Sequence, residues 1–158
     1  RFAKYDLTIH PEKTILIDFR NPLTRKEASD IKNDTFDFLG FTHYWGKSRN
    51  GNWVIKRRTP SKRLRRFMKA VWRWRHDKRH WSLPEQYQII SSKLRGHYQY
   101  YGIRGNYRML EAVYQHARKT WKRWLGRRSR DGFIPWEAFE ERILKIFPHP
   151  IPRIMHSV

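Results

Sequence analysis

The sequence predicts an α+β fold in which a small β unit containing a hairpin precedes a bundle of three to four helices. Three observations carry this prediction. Bulky residues alternate on both sides of Asn50-Gly51, which is typical of a hairpin. Apolar residues recur at intervals of three and four along three later segments, as they do on one face of a helix. Most basic residues fall within those later segments, which sets them apart from the β unit.

A short strand is predicted near the start of the β unit. Ile15, Ile17 and Phe19 alternate along "HPEKTILIDF", after a turn that contains proline. The following segment, residues 21–35, is polar and contains a proline, so it predicts a connection.

The hairpin is predicted from two alternating segments that flank "GKSRNG". Asn50 and Gly51 supply the positive φ that a tight turn requires. Gly40 interrupts the first segment and predicts a bulge or the close approach of another backbone. The strand pattern stops at Thr59-Pro60, because proline lacks the amide hydrogen that a strand ladder needs. We therefore place a boundary between two modules there.

The first predicted helix, residues 61–80, has an apolar face and a basic face. Its apolar side chains recur at helical spacing: Leu64, Phe67, Met68, Val71 and Trp74. About half a turn away lies a row of four cations, named here the basic stripe: Lys62, Arg66, Lys69 and Arg73. His76 and His80 continue the same spacing. One face is expected to pack and the other to stay charged.

Two further long helices and a short final one complete the predicted bundle. Ser82 and Glu85 fit a capping box before the second helix, which ends at Gly102. Asn106 is expected to cap the third helix. The side chains predicted to face the core are Tyr87, Ile90, Leu94, Tyr98, Tyr101, Leu110, Val113, Tyr114, Ala117, Trp121, Trp124, Trp136, Phe139, Ile143 and Phe147.

Charge gives the main functional signal. The chain has 35 Lys and Arg residues against 14 Asp and Glu, a formal net charge of +21. Residues 57–130 alone contain 22 basic and 3 acidic side chains. Repulsion among so many positive charges is most easily tolerated when the protein is bound to a polyanion. Because the basic face lies opposite an apolar seam that packs inside the bundle, nucleic acid is favoured over a membrane surface.

Composition excludes several other kinds of site. Without cysteine there is no disulfide framework, zinc ribbon or thiol nucleophile. No apolar run approaches the roughly 20 residues that a membrane span needs, and no signal peptide is recognisable, so the cytoplasm is the expected location. His76 and His80 stand four residues apart, as metal-binding pairs can, but no Glu occupies the HExxH position and four cations surround them. Asp34 and Asp37 are expected to be turn and edge residues. We expect no metal ion and no cofactor in this chain.

Aromatic residues make up 16% of the chain, but most lie at core spacing. Rings outside the apolar seams are the candidates for stacking on bases: Trp72, His97 and Tyr100. The alternative for each is a partly packed surface ring.

Several blocks of the sequence resemble one protein family. "LTIHPEKTILIDF" followed by "FDFLGF" is similar to the last two conserved blocks of a reverse transcriptase palm. "LRGHYQYYG", then "NYRMLEAVYQHARKTWKRWLGRRS" and "PRI", resemble the thumb, or maturase-specific X domain, of group II intron-encoded proteins. The resemblance covers nearly the whole chain. It implies that residues 1–59 are the C-terminal part of the palm, that residues 60–147 are the thumb or X domain, and that residues 148–158 are a proline-rich C-terminal tail.

The resemblance also implies roles for individual residues. Phe38, Leu39 and Gly40 would form the primer grip, a hairpin that sets the primer end against the active site. Lys13 falls on the motif-D lysine, which in related polymerases is proposed to protonate the leaving pyrophosphate; a strand-end lysine is the alternative. The residues expected to meet nucleic acid are Arg57, Arg58, Lys62, Arg66, Lys69, Arg73, Arg95, His97, Tyr100, Arg104, Lys119, Lys122, Arg123, Arg127 and Arg128.

The sequence departs from the family pattern in its catalytic residues. The family's aspartates lie in a Tyr-Ala-Asp-Asp block, which should precede Arg1 and occurs nowhere in these 158 residues. The cysteine- and histidine-rich endonuclease of many relatives is also missing. We therefore expect a fragment, or a truncated chain, that does not polymerise DNA alone. Mg²⁺ is expected only for the full-length polymerase.

The partners implied by the resemblance are group II intron RNA, the RNA/DNA template–primer duplex, and the missing fingers and palm portion of a parent protein. The expected location is a nucleoid-associated ribonucleoprotein in the cytoplasm. Two alternatives remain: a stand-alone RNA-binding module that acts in trans, and a helical DNA-binding domain that reads a groove.

Overall fold

The computed structural model describes residues 2–6, 8, 10, 19–21 and 35–156. Within this part of the chain the α+β fold is confirmed, because a three-stranded antiparallel sheet precedes a set of helices. The strands are β1 (Phe36–Phe38), β2 (Phe41–Lys47) and β3 (Trp53–Arg58), and the long helices are α1 (Ser61–Asp77), α2 (Leu83–Tyr101) and α3 (Tyr107–Leu125). A short helix, α4 (Trp136–Phe139), runs into a π-helical turn, Glu140–Leu144, and a 3-10 turn spans Phe2–Tyr5.

Some of the predictions fall on residues outside this described part. They are the strand through Ile15 and Ile17, most of the polar connection after it, the candidate motif-D lysine Lys13, and the turn residue Asp34. These stay predictions.

The sheet is a meander in the order β1-β2-β3 rather than a single hairpin. The predicted first strand is interrupted, because Leu39 and Gly40 form a two-residue turn between β1 and β2. Both residues have positive φ, 46° and 83°, a geometry that matches the twist of the flanking strands. The bulge predicted at Gly40 is therefore wrong. The group that comes close to Gly40 is the ring of Tyr100 and not a backbone.

The second turn lies where the sequence predicts it, but it is longer than two residues. The Gly51 amide donates to the Ser48 carbonyl at 3.2 Å, and the Ser48 amide donates to the Asn52 carbonyl at 2.8 Å. Of the pair Asn50-Gly51, only Gly51 has positive φ, at 80°. Glycine therefore supplies the left-handed residue, as its missing Cβ allows.

The long helices form where the apolar periodicity predicts them. Ser82 and Glu85 make the predicted capping box, in which the Ser82 hydroxyl accepts from the Glu85 amide and the Glu85 carboxylate accepts from the Ser82 amide. Gly102 follows the end of α2, as predicted. α1 is shorter than predicted: it ends at Asp77, whereas the sequence predicts a helix to residue 80. Asn106 precedes α3, but its side chain does not cap the helix.

The core lies between the helices in two clusters. The first contains Val71, Ile90, Leu94, Tyr98, Leu110, Val113 and Ala117. The second contains Trp121, Leu125 and Phe139, with Ile143 and Phe147 packed against it. All of these except Leu125 are predicted core positions. Trp136 was also predicted to face the core, and it is instead partly exposed.

Asn106 and Tyr100 fasten the sheet to the bundle. The Asn106 side chain accepts a hydrogen bond from the Thr59 amide and donates to the Thr59 hydroxyl, both at 2.9 Å. The Tyr100 ring lies parallel to the ring of Phe41, and its hydroxyl donates to the Leu39 carbonyl at 2.9 Å. The turn between β1 and β2 is thus held against the C-terminal part of α2.

The proline-rich tail runs back across the bundle. His149 is buried, and the amides of Met155 and His156 donate to the Gly102 carbonyl at 2.6 and 3.0 Å. The tail is therefore part of the packed structure as far as His156.

Candidate nucleic-acid interface

The basic stripe lies on the exposed side of α1. All four of its cations are exposed, whereas Val71 and Arg75 on the other side of the helix are buried. None of the four pairs with a carboxylate of the residues that the structure describes. Four cations that repeat at intervals of about one helical turn suit a ligand whose negative charges repeat along a backbone.

Arg75 of α1 is a cation that does not belong to this surface, because none of its area is exposed. Its guanidinium donates to Gln86 Oε1 at 3.2 Å and to His149 Nε2 at 2.9 Å, and lies 4.3 Å from the centroid of the Trp121 ring. Burial lowers the pKa of Arg75. Burial, followed by the positive charges of Arg75 and Arg118, lowers the pKa of His149 to about 3. This histidine is therefore neutral and accepts the hydrogen bond.

Most of the other cations predicted to meet nucleic acid are also on the surface. Those that the structure places as exposed are Arg58, Arg95, Arg104, Lys119, Arg123 and Arg127. Arg57 is partly buried. Lys122 is partly buried, with its ammonium 5.3 Å from the centroid of the Phe133 ring and 5.0 Å from that of Trp136. The exposed cations therefore come from β3, all three long helices and the turns next to them.

Two of the predicted contact residues have a role in the fold. His97 is only 7% exposed, and its ring stacks on Phe67 with 4.2 Å between centroids. Burial lowers its pKa to about 4. The prediction that His97 meets a base is wrong, because its ring is enclosed by the core. Arg128 donates to the carbonyls of Arg79 and Trp81 at 2.5 and 2.7 Å. Its guanidinium therefore holds the segment that connects α1 and α2.

The three residues of the predicted primer grip form the tip of the turn between β1 and β2. Phe38 and Leu39 expose 58% and 73% of their surfaces, whereas Gly40 is buried against Tyr100. Leu39 also has a positive φ, which costs an L-residue roughly 1–2 kcal/mol. An exposed apolar pair on a strained turn is a feature of contact surfaces. Tyr100, the other predicted stacking ring, is half exposed and supports this turn.

A groove of about 720 Å³ opens between α1, α3 and the segment 126–136. Three rings that are partly or largely exposed line it: Trp72, Phe133 and Trp136. Five cations also line it: Lys119, Lys122, Arg123, Arg127 and Arg130. Among the described residues that line it, none carries a carboxylate. The groove therefore combines aromatic surface with positive charge.

No known family model, curated protein or solved structure matches this chain. The interface is therefore assigned from its own geometry. Trp72 connects the groove with the basic stripe. It lines the groove, and on α1 it lies one turn from Lys69 of the stripe and one turn from His76. The basic stripe and the groove are thus neighbours, and the hairpin tip is a separate feature held by α2.

Phe133 and Trp136 are two aromatic residues of the groove that the sequence did not identify. Phe133 stands alone as an apolar residue in the polar run "GRRSRDGF", and an isolated ring in such a loop is the signal that could have identified it. Trp136 was assigned to the core by its spacing. Its ring instead meets the cations of Arg118 and Lys122 at 5.9 and 5.0 Å.

Among the described residues, no group of three or more His, Asp and Glu side chains could hold a metal ion. His76 pairs with Asp77 at 2.7 Å, and Asp37 accepts from the Thr42 hydroxyl at 2.5 Å on the sheet edge, where an edge residue was predicted. The helices of the described part include none that is long and apolar enough to cross a bilayer.

Proposed function

We propose that this chain binds structured RNA and the RNA/DNA template–primer duplex, as the C-terminal part of a group II intron reverse transcriptase or maturase. The observation that carries the proposal is the exposure of the four cations of the basic stripe on one face of α1, without a carboxylate partner in the described part of the chain. In the proposal this face follows backbone phosphates, which are read by charge and by the shape of the duplex.

The position of β3 supports a longer basic track. Only Thr59 and Pro60 separate Arg58, at the end of β3, from the start of α1. Asn106 fixes Thr59 to the beginning of α3, so the strand and the helix keep a defined relation. Arg58, which is exposed, would therefore extend the track of the stripe, and Arg57 would contact nucleic acid from the other face of the sheet.

The turn between β1 and β2 would act as the primer grip. Phe38 and Leu39 are exposed at its tip and would press on the primer strand, while Tyr100 holds the turn from behind. Rigid support matters for this role, because a primer end must be placed within fractions of an ångström for reaction.

The parent protein would supply the fingers, the rest of the palm with its Tyr-Ala-Asp-Asp block, and the Mg²⁺ ions. Ile55 on β3 exposes 51% of its surface, and this apolar side chain would give that portion a place to pack. The assembled protein would hold intron RNA in its splicing-active fold. It would work in the cytoplasm as a nucleoid-associated ribonucleoprotein.

Competition binding tests the proposal. A labelled group II intron RNA domain bound to the chain should be displaced by unlabelled structured RNA and by an RNA/DNA hybrid, and far less by duplex DNA of equal length. Equal displacement by duplex DNA would favour a DNA-binding helical domain. Splicing promoted by this chain alone would favour an RNA-binding module that acts in trans. Absence of RNA binding at moderate salt would contradict the proposal.

A further inference from the structure

The groove between α1, α3 and the segment 126–136 has a composition that duplex binding does not require. A duplex presents phosphates and the edges of its bases to a protein, while the faces of its bases are stacked inside. Cations alone are sufficient for such a ligand. The groove carries three rings in addition to its cations, namely Trp72, Phe133 and Trp136.

Phe133 is the most informative of these rings. It exposes 82% of its surface, the highest value among the large apolar side chains of the described residues. Its ring lines the groove, and the Lys122 ammonium lies 5.3 Å from the ring centroid. The ring packs too little to contribute to the core, and its free face is open to a planar ligand.

The neighbouring charges restrict the class of that ligand. Lys122 also lies 5.0 Å from the Trp136 ring, and Arg127 lies 5.5 Å from the ring of Trp124 on the same helix end. Since none of the described residues that line the groove is acidic, a ligand with both planar rings and negative charges fits it best. Unpaired nucleotides have both, and each base stacked on an aromatic side chain strengthens binding with little regard to sequence.

We propose that this groove binds unpaired nucleotides of RNA, with a base stacked on Phe133 and its phosphate beside Lys122 and Arg123. The proposal rests on the RNA-binding function proposed above and names a subsite within it. Because Trp72 lies beside the basic stripe, a single strand leaving a duplex on the stripe would reach the groove directly. Loops, bulges and strand ends of a structured RNA would then be held separately from its helices.

The test uses two probes with the complete chain. One is a fluorescein-labelled oligouridine of about eight nucleotides, within the usual size of a single-strand site. The other is a blunt RNA duplex without unpaired nucleotides. The variant is Phe133→Ala, in an exposed position where loss of the ring leaves the core intact. Ile146→Ala, another largely exposed apolar residue outside the groove, is the matched control.

Phe133→Ala should weaken binding of the oligouridine by roughly 5- to 100-fold and leave duplex binding unchanged, and Phe133→Trp should restore oligouridine binding. Ile146→Ala should change neither. Equal oligouridine affinity of Phe133→Ala and the wild type would overturn the subsite. If the duplex still binds in that case, the proposed function stands without it. Absence of binding to both probes would contradict the proposed function itself.

A negatively charged peptide is the competing occupant. Polyglutamate should displace the oligouridine only weakly, and Phe133→Ala should not alter its binding. Tight polyglutamate binding that depends on Phe133 would show a general anion groove and overturn the nucleotide assignment.

Discussion

At the scale of single residues, a buried polar cluster joins α1, α2, α3 and the tail. Gln86 is at its centre: its Oε1 accepts from Arg75 at 3.2 Å and from the Trp121 indole at 3.0 Å, and its Nε2 donates to the carbonyls of Arg79 and Trp81. All four hydrogen bonds of this amide are thus made inside the protein. The Gln86 amide is thus fully satisfied, whereas Arg75 Nε and His149 Nδ1 of the same cluster make no hydrogen bond to the described residues. Because an unpaired buried polar group is costly, the partners that Gln86 supplies to Arg75 and Trp121 stabilise the bundle.

Gln86→Leu should lower the free energy of unfolding by about 3–5 kcal/mol, because it leaves a buried guanidinium with one remaining acceptor and an indole with none. Urea unfolding followed by circular dichroism measures this. Gln88→Leu, at an exposed position of α2 two residues away, is the control and should change stability by less than about 0.5 kcal/mol. Similar values for the two variants would show that the cluster does not contribute to stability.

His149 should make the fold sensitive to acid. Its pKa in the folded chain is about 3, below the usual histidine value of about 6.5 in an unfolded chain. Between these values the unfolded state binds the proton more tightly, so stability is fully present above about pH 6.5 and decreases as the pH falls toward 3. His97, whose pKa is about 4, acts in the same direction.

His149→Gln keeps a hydrogen-bond acceptor for Arg75 and removes the titrating group. The variant should lose less stability than the wild type between pH 6.5 and pH 4, with a slope that is smaller by about one proton. Urea midpoints measured across that range give the slope. If wild type and variant show the same slope, His149 is not protonated on unfolding.

The burial of Arg75 could have been read from the sequence. Leu64, Met68, Val71 and Arg75 follow one another at spacings of four, three and four, which places the arginine in line with the apolar face. The charge of its guanidinium hides this placement, because arginine is rarely fully buried. His149 could not have been found in this way, because its partners lie 74 and 28 residues away in the chain.

At the scale of secondary-structure elements, the turn between β1 and β2 depends on Gly40. A Cβ at this position would lie 2.6 Å from the Tyr100 hydroxyl, and the backbone there has a φ of 83°. Gly96, on the exposed side of α2, has the opposite surroundings, since a Cβ there would meet nothing within 4 Å. The two glycines form a matched pair.

Gly40→Ala should destabilise the fold by roughly 1–2 kcal/mol, because the left-handed backbone strains a residue that has a Cβ and the Tyr100 ring must move. Gly96→Ala should stabilise it by about 0.5–1 kcal/mol, because alanine favours a helix. Unfolding free energies from urea titrations test both. A shift of the same sign in the two variants would contradict the geometry of the turn.

The helices were predictable and the first turn was not. A long helix is predicted by apolar residues that recur over many positions. The Ser82–Glu85 capping box also predicts where α2 begins. A two-residue turn depends on one or two residues, and leucine at position 39 gives no turn signal. The alternating pattern therefore predicts one continuous strand where the structure has β1, a turn and β2.

At the scale of the whole molecule, the sheet, the bundle and the tail are joined by contacts between distant residues. Asn106 meets Thr59 across 47 positions, and the tail meets Gly102 through two amides. Such pairings have no local signature, so the sequence predicted the elements but not their docking. The basic surface was predictable in part, because charge and helical spacing are local properties, and its aromatic groove became visible only in three dimensions.

The proposed function depends most directly on contact between nucleic acid and the basic stripe of α1. The direct measurement is the salt dependence of binding to structured RNA by a variant with all four stripe cations changed to Gln. The matched control changes four exposed cations elsewhere, Lys93, Arg142, Lys145 and Arg153, to Gln, so that both variants carry the same net charge.

The slope of log affinity against log salt should become shallower by roughly 2–4 units in the stripe variant, on the basis of about 0.7–0.9 per phosphate contact, and should change little in the control. Circular dichroism establishes that both variants are folded. A folded stripe variant with the affinity and slope of the wild type, or a control that loses as much as the stripe variant, would contradict the claim.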